Sequence, residues 1–341
     1  MYEELKKNDE LWDLYTRKEE YNTIYYDKYN RYPFYLSKNR NIFKPIVSEF
    51  LIKKGLKFYY PDNKKFAVCL THDIDYIYPA KKKALFESLK SIIKLKILNS
   101  INNLASIFDR KLNPWWNIKD IINLEKKYNA KSSFYFLVLD QVSLDFHYDL
   151  KDLEIDLGFI LDNNFEIGLQ GNHKSYQSFK EIKDMKIKLE KYIDKKIIGY
   201  RNHYLKFKIP DTWEFLSDAG FKYDTTLGYP DCVGFRNGMC HPFKPYNLKT
   251  NKKIDIFEIP LIIMDKTLFK YMKLDYYKAW NVTKLLIDVV EKNNGVITIL
   301  WHNNFFNDKN FKFYEKILKY CFKKKAWMTS ASEISDFWSK L

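Results

Sequence analysis

The sequence predicts an α/β protein: a distorted (β/α) barrel of about seven strands behind a helical, aromatic N-terminal extension. Three observations predict it. Short apolar runs without polar alternation recur along the chain, as strands buried on both faces require. Helical stretches separate these runs, the order that parallel strands with crossover helices produce. Several runs end in chemically competent polar residues, and in a barrel such ends converge on one face.

Residues 1–60 read as the N-terminal extension. They are rich in Tyr, Lys and Asn, with Trp12 and a tyrosine cluster from Tyr21 to Tyr35. Residues 45–57 read as a short helix ending near Gly55, and no catalytic constellation stands out. The barrel domain spans 61–341. Its first strand, 66–70, is continuously apolar and runs into Thr71-His72-Asp73-Ile74-Asp75. Residues 80–112 are basic and helix-like, and read as a helical insertion.

Beyond it the pattern alternates. Helices are expected at 118–128, 150–161, 178–193 and 212–219, and strands at 133–139, 165–169, 197–200 and 223–226. Two further strands, 256–264 and 296–301, and helices at 276–292 and 310–323 complete the set. No Gly-x-Gly-x-x-Gly fingerprint or phosphate-binding loop is present, which argues against a nucleotide-binding doubly wound sheet.

Of the 341 residues, 46% are hydrophobic, enough for a sizeable core, and 30% are charged, which fits a soluble chain. Aromatics reach 18%, more than one core holds, so surface or groove positions must carry rings. The net charge of +15 favours anionic partners: acidic glycans, lipid headgroups or nucleic acid. The lysines are spread along the chain without an Arg-rich recognition helix, so nucleic-acid binding has little support. Four cysteines without a Cys-x-x-Cys pair suit a reducing compartment. The N-terminus lacks an apolar signal region, and no run approaches the roughly 20 apolar residues of a membrane span. A cytoplasmic location is expected, with peripheral contact to an anionic surface left open.

Five polar clusters follow or border predicted strands, and they should meet in one cleft. The first holds Asp73 and Asp75, which point the same way on an extended chain because they are two residues apart. Two close carboxylates repel, so a cation or basic neighbour must compensate. A turn in which they accept backbone N–H bonds is the plainer alternative. The others are Gln170-Gly171-Asn172-His173-Lys174, Arg201-Asn202-His203-Tyr204, Asp224, and Trp301-His302-Asn303-Asn304. His302 at a barrel mouth can protonate a leaving group near neutral pH, or it can be a buried structural histidine. Arg201 can orient Asp73 or bridge strands.

At these residues the chain resembles the polysaccharide deacetylases, carbohydrate esterase family four. The motifs run in order: Thr71-His72-Asp73-Ile74-Asp75, Ser132-Ser133-Phe134-Tyr135-Phe136 and Glu166-Ile167-Gly168-Leu169-Gln170. Gly199-Tyr200-Arg201-Asn202-His203-Tyr204, Tyr223-Asp224-Thr225-Thr226-Leu227-Gly228-Tyr229, Gly234-Phe235-Arg236-Asn237-Gly238 and Trp301-His302-Asn303 follow. The resemblance spans about residues 60 to 341.

It implies a distorted barrel and metal-assisted hydrolysis of acetyl groups on a glycan, amide or ester, in surface-polysaccharide metabolism. Asp73 matches the catalytic base, Asp75 the metal-ligand aspartate, Arg201 the arginine that orients the base, and His302 the catalytic acid. Asp224 falls near the motif that supports that histidine, and Tyr204 and Trp301 fall in the matching motifs. The implied partner is an acetylated oligo- or polysaccharide, of acidic character given the charge. The implied cofactor is a divalent metal, zinc foremost.

The chain departs from the family at the third strand, where two metal-binding histidines four residues apart are replaced by Gln170 and Lys174. A Gln carbonyl is a weak zinc ligand, and a protonated Lys cannot ligate at all. His173 lies one residue from the second position. Three states remain open: weak metal binding through Asp75, His173 and water; metal-free hydrolysis with Lys174 stabilising the oxyanion; or a catalytically silent glycan-binding relative.

Overall fold

A computed structural model describes residues 2–57, 59–78, 113–140, 143, 147–306 and 308–341. The helical insertion expected at 80–112 lies outside the described residues. Eleven strands are described: β1 (Ala67–Ile74), β2 (Ser133–Leu137), β3 (Glu166–Gly171), β4 (Gly199–Asn202), β5 (Tyr223–Asp224), β6 (Tyr246–Asn247), β7 (Lys252–Lys253), β8 (Phe257–Glu258), β9 (Leu261–Met264), β10 (Val296–Leu300) and β11 (Trp327–Thr329). Nine form one sheet in the order β8-β5-β4-β3-β2-β1-β10-β9, with β11 also on β1; β6 and β7 make a separate antiparallel ribbon. Every pairing in the large sheet is parallel.

The strands at the two ends of that order, β8 and β9, are consecutive in the chain and separated by Ile259 and Pro260. The sheet therefore curls back on itself into a distorted barrel. The sequence predicts a single strand at 256–264, but Pro260 has no N–H to give a ladder and splits it. Phe257–Glu258 pairs with β5 on one side, and Leu261–Met264 pairs with β10 on the other. β11 is not foreseen at all: it is three residues long and too short for a periodic signal. It lies beside the first half of β1, Ala67 to Cys69, while β2 takes the second half from Thr71 to Ile74.

The helix expected at 276–292 forms with those bounds, and others have shifted ends for local reasons. Ser178 is the cap of Phe179–Ile193 and not its first residue: its backbone is extended and its hydroxyl accepts from the Glu181 N–H. The stretch expected as one helix from 150 begins as a 3₁₀ turn, Leu150–Leu153, and continues as the helix Glu154–Asp162.

Strand periodicity sorts side chains onto two faces. Val68, Leu70 and Ile74 of β1, Phe134 and Phe136 of β2, and Ile297 and Ile299 of β10 point out and pack in the main core with helical residues such as Ile121, Leu189 and Leu286. Each such fully buried side chain contributes about 1.5–3 kcal/mol of transfer free energy. Ala67, Cys69, Tyr135, Tyr223 and Val296 form a second cluster inside the barrel. The Tyr135 and Tyr223 hydroxyls lie 2.9 Å apart, and Tyr223 donates to Glu166 at 2.6 Å. These rings need space: a Cβ at Gly168 would overlap Tyr135, and one at Gly199 would overlap Tyr223. The tyrosines floor the barrel, and only positions above them on the same parity can face a cleft.

The N-terminal residues pack onto the barrel. Leu5, Tyr15, Val47 and Leu51 join the main core. Arg17 is fully buried, with Glu20 at 2.6 Å and the Arg236 carbonyl at 2.8 Å. Among the described residues, no helix is long and apolar enough to cross a membrane.

Candidate active site

The C-terminal ends of β1, β4, β9 and β10 surround a cavity of about 290 Å³. Asp73, Asp75, His203 and His302 line it, together with Lys266 just past β9. Parity explains the membership. Asp73 and Asp75 continue the inward series Cys69–Thr71, Arg201 and His203 continue Gly199, and His302 continues Val296, Thr298 and Leu300.

Asp73 sits at the base of the site. Its Oδ1 lies 3.8 Å from Arg201 Nη1, beyond hydrogen-bond reach, and neither atom has another hydrogen-bond partner. Arg201 is held from behind: Nε donates to Thr225 Oγ1 at 2.8 Å, Nη2 to Thr71 Oγ1 at 3.2 Å, and the guanidinium lies over the Tyr135 ring. Burial, reinforced by the Asp75 charge, pushes the Asp73 carboxyl above its usual range; Arg201, His302 and Lys266 moderate the shift.

Asp75 is the most heavily partnered group. Gln170 Nε2 donates to its Oδ1 at 3.0 Å, and Lys266 Nζ donates to its Oδ2 at 2.5 Å. His203 Nε2 and His302 Nε2 lie 3.4 and 3.7 Å away. Burial opposes ionisation, yet Lys266, His203 and His302 outweigh it and hold Asp75 well below the usual carboxylate range. Two neighbouring carboxylates thus have their acidities driven apart, an arrangement found where one acts as base and the other as a fixed charge. Burial also opposes the Lys266 charge, but Asp75 and Asp265 overcome it and raise its pKa.

His302 is oriented by Asp265. Its backbone N–H donates to Oδ2 and its Nδ1 lies against Oδ1, both at 2.7 Å. Sequence reasoning missed Asp265, Lys266 and this role of His203. The available signal was position: Asp265-Lys266 directly follow a predicted strand, at the end where barrel residues converge.

Other residues singled out in the sequence lie elsewhere. Asp224 lies between Tyr223 and Thr225 and so takes the opposite, outward face. There it accepts from Thr226 Oγ1 at 2.6 Å and shares a buried acid pair with Glu258, itself held by Trp213 Nε1 at 2.8 Å. Burial pushes both acids up, Glu258 well above its usual value. Trp301 has the same outward parity and is fully buried against Phe313 and Tyr314.

Lys174 and His173 lie beyond the end of β3. Asn172 Oδ1 accepts from the Lys174 and Ser175 N–H groups at 2.7 and 2.8 Å, turning the chain away. Lys174 is exposed and His173 half-buried, and neither lines the cavity. His72 is outward and buried, bonded to Glu125 at 2.9 Å and the Trp301 carbonyl at 2.8 Å.

Asp73, Asp75 and His302 bring ligand atoms within 4.8 Å of one another, a donor set that could hold a divalent cation. The full site does not fit one. The Lys266 ammonium occupies the Asp75 oxygen a cation would need, and its charge repels a second cation there. Gln170 turns its amide N–H, a donor, toward the same carboxylate.

The rim is aromatic and basic. Tyr29 and Tyr204 stack with centroids 5.9 Å apart, and Tyr204 stacks on His203 at 4.1 Å. Arg31 lies over the rings of Tyr29 and Tyr271 and donates to the Tyr204 carbonyl at 3.2 Å. Tyr204 is held at φ 61°, in the left-handed region that is uncommon for a bulky residue. A larger cavity, about 640 Å³, opens by the N-terminal ends of β5 and β8, the face of a barrel associated with stability.

No protein-family model matches the chain, and no curated protein matches it in sequence. Its fold does match solved structures. A protein assigned as a polysaccharide deacetylase, from Mycobacterium smegmatis, aligns with a TM-score of 0.57 at 15% identity over 83% of this chain and 94% of that one. Lower in similarity are a pseudoenzyme of carbohydrate esterase family four from Bacillus anthracis (TM-score 0.42, 12% identity, 82% of this chain and 67% of that one) and a peptidoglycan deacetylase from Bacillus subtilis (0.38, 13%, 81% and 92%). The chain therefore shares the fold of the first of these, at an identity that carries the fold and nothing finer.

Proposed function

We propose that this chain is a hydrolase that removes acetyl groups from a glycan, cleaving an N-acetyl amide or an O-acetyl ester. One observation carries the reading: Asp73 beside Arg201, and His302 held by Asp265, flank the fixed charge of Asp75 in one cavity. Asp73 takes a proton from water as the water oxygen adds to the acetyl carbonyl carbon. His302, in its protonated form, gives a proton to the leaving nitrogen or oxygen as the bond to carbon breaks. Acetate and a free amine or hydroxyl leave, and the proton on Asp73 returns through solvent to His302. General acid–base transfer of this kind supplies about 10²–10⁴-fold of rate.

Glycan as the substrate class is supported by the half-exposed rings of Tyr29, Tyr204 and Tyr271 at the cavity, where sugar faces can stack. Lys270 at the same rim supports an acidic glycan, whereas Arg31 there is buried and paired with Asp27 at 2.7 Å.

The reading is tested by acetate release from N-acetylated and O-acetylated oligosaccharides. Release by the wild-type protein is expected, with a loss of about 10²–10⁴-fold in Asp73→Asn and unchanged oligosaccharide affinity. The pairing of Lys266 with Asp75 favours a second reading, a silent glycan-binding relative. Salt-sensitive binding without acetate release from any substrate would establish that reading instead.

A further inference from the structure

We propose that the Lys266 ammonium takes the place of a divalent cation in this site and is the group that binds the acetyl carbonyl oxygen. The inference rests on the deacetylase reading above for its chemistry, but the displacement of metal stands on geometry alone. Lys266 Nζ is 2.5 Å from Asp75 Oδ2. The same carboxylate takes the Gln170 amide at 3.0 Å and has two imidazole nitrogens within 3.7 Å. Its charge is already balanced without a metal. Asp73 is balanced by Arg201, 3.8 Å away.

Lys266 is also positioned to do more than neutralise. An ammonium has three N–H donors. Asp75 takes one, no other side chain or carbonyl among the described residues is hydrogen-bonded to Nζ, and the side chain is 20% exposed where it lines the cavity. Two donors therefore remain for an oxygen in the cavity. When water adds to the carbonyl, the C=O electron pair moves onto oxygen, and a fixed cation beside it stabilises that charge. What an ammonium cannot do is lower the pKa of water as a metal does. Water activation then falls wholly on Asp73, the one inward carboxylate that Lys266 leaves without a short ion pair. The lysine comes from the end of β9 and not from the third strand, where Lys174 turns away into solvent.

The test begins with metal binding, which needs no activity. Chelator-treated wild-type protein is titrated with Co²⁺ and Zn²⁺, followed by visible absorption and metal analysis. No stoichiometric, Asp75-dependent binding is expected. Lys266→Met frees the Asp75 carboxylate and should gain a Co²⁺ site of Asp73, Asp75 and His302, with affinity raised at least about tenfold.

Acetate release is then measured with and without chelator. Release by the wild-type protein should be unchanged by chelator and should fall by about 10²-fold or more in metal-free Lys266→Met. Stoichiometric Co²⁺ binding by the wild-type protein, loss of activity with chelator, or full metal-free activity in Lys266→Met would each overturn the proposal. If Lys266→Met does not fold, the wild-type titration and chelator comparison still decide it. If no acetate is released by any form, the deacetylase reading fails, while the Co²⁺ titration still reports whether Lys266 displaces metal.

Discussion

His302 is hydrogen-bonded to Asp265 through both its backbone N–H and its ring Nδ1, each at 2.7 Å. The carboxylate therefore fixes the chain position and the ring plane together, and it favours the proton on Nδ1. Nε2 is left toward Asp75, at 3.7 Å, on the side of the cavity. An Asp265→Asn variant keeps the shape but offers the ring an amide of uncertain hand. Its kcat for acetate release should fall by about 10²-fold with KM little changed, because a misoriented acid affects the transition state alone. The ¹⁵N shifts of the His302 ring should move with it. A lower kcat without a tautomer change would assign Asp265 a purely structural role.

Tyr29 comes from the N-terminal residues and stacks on Tyr204 at the cavity rim. Truncating it removes a ring without touching Asp73 or His302. Tyr29→Ala should raise KM for an acetylated oligosaccharide about three- to tenfold, matching the roughly 0.5–1.5 kcal/mol of an aromatic contact. The kcat should hold. Equal affinity for long and short substrates in wild type and variant would remove the sugar-binding role of the rim.

The alternation of apolar runs with helices makes the barrel legible in the sequence, and the two-residue spacing of Asp73 and Asp75 makes their shared direction legible too. His302 and Arg201 were readable for the same reason: each follows a strand on the inward parity. Asp224 and Trp301 were legible as polar or aromatic strand-end residues, but strand direction alone does not say which face each takes. That follows from register, Tyr200 against Asp224 for one and Leu300 against Thr71 for the other. Lys266 was illegible as a site residue because lysines occur throughout the chain, and its distinction lies wholly in a contact spanning 191 positions. The packing of residues 1–60 was hidden likewise. Arg17 and Glu20 are three residues apart, but Arg236 lies 216 positions from Glu20, and the contact that joins all three is made in three dimensions.

That contact makes a stability prediction. Glu20 accepts from Arg17 Nε at 2.6 Å and Arg236 Nε at 3.1 Å, and all three side chains are buried. Removing the carboxylate leaves two guanidiniums facing each other without their shared partner, a loss of about 3–5 kcal/mol. Glu20→Ala should lower the urea midpoint accordingly, and limited proteolysis should cut the N-terminal residues faster. A change below about 1 kcal/mol would mean that the apolar contacts of Leu5, Tyr15 and Val47 carry the docking without it.

His241 predicts how stability depends on pH. The ring is buried, with Nδ1 at 2.9 Å from Ser48 Oγ and Nε2 at 3.2 Å from the Asn294 carbonyl. One nitrogen can accept from the hydroxyl while the other donates to the carbonyl, so the neutral ring is satisfied. Burial disfavours the charged form and brings the pKa from its ordinary 6.5 down to about 4. The unfolded chain therefore binds the extra proton first as pH falls. Stability from this group is complete above the unfolded value and is lost progressively as pH drops from about 6.5 toward 4. At about pH 5 the loss is roughly 2 kcal/mol. Urea unfolding at about pH 7 and pH 5 should show that difference in the wild-type protein over and above the carboxylate contributions. His241→Gln keeps a donor and an acceptor but does not titrate, so the gap between the two pH values should shrink by the same amount. An identical gap in both proteins would show that His241 charges freely in the folded state.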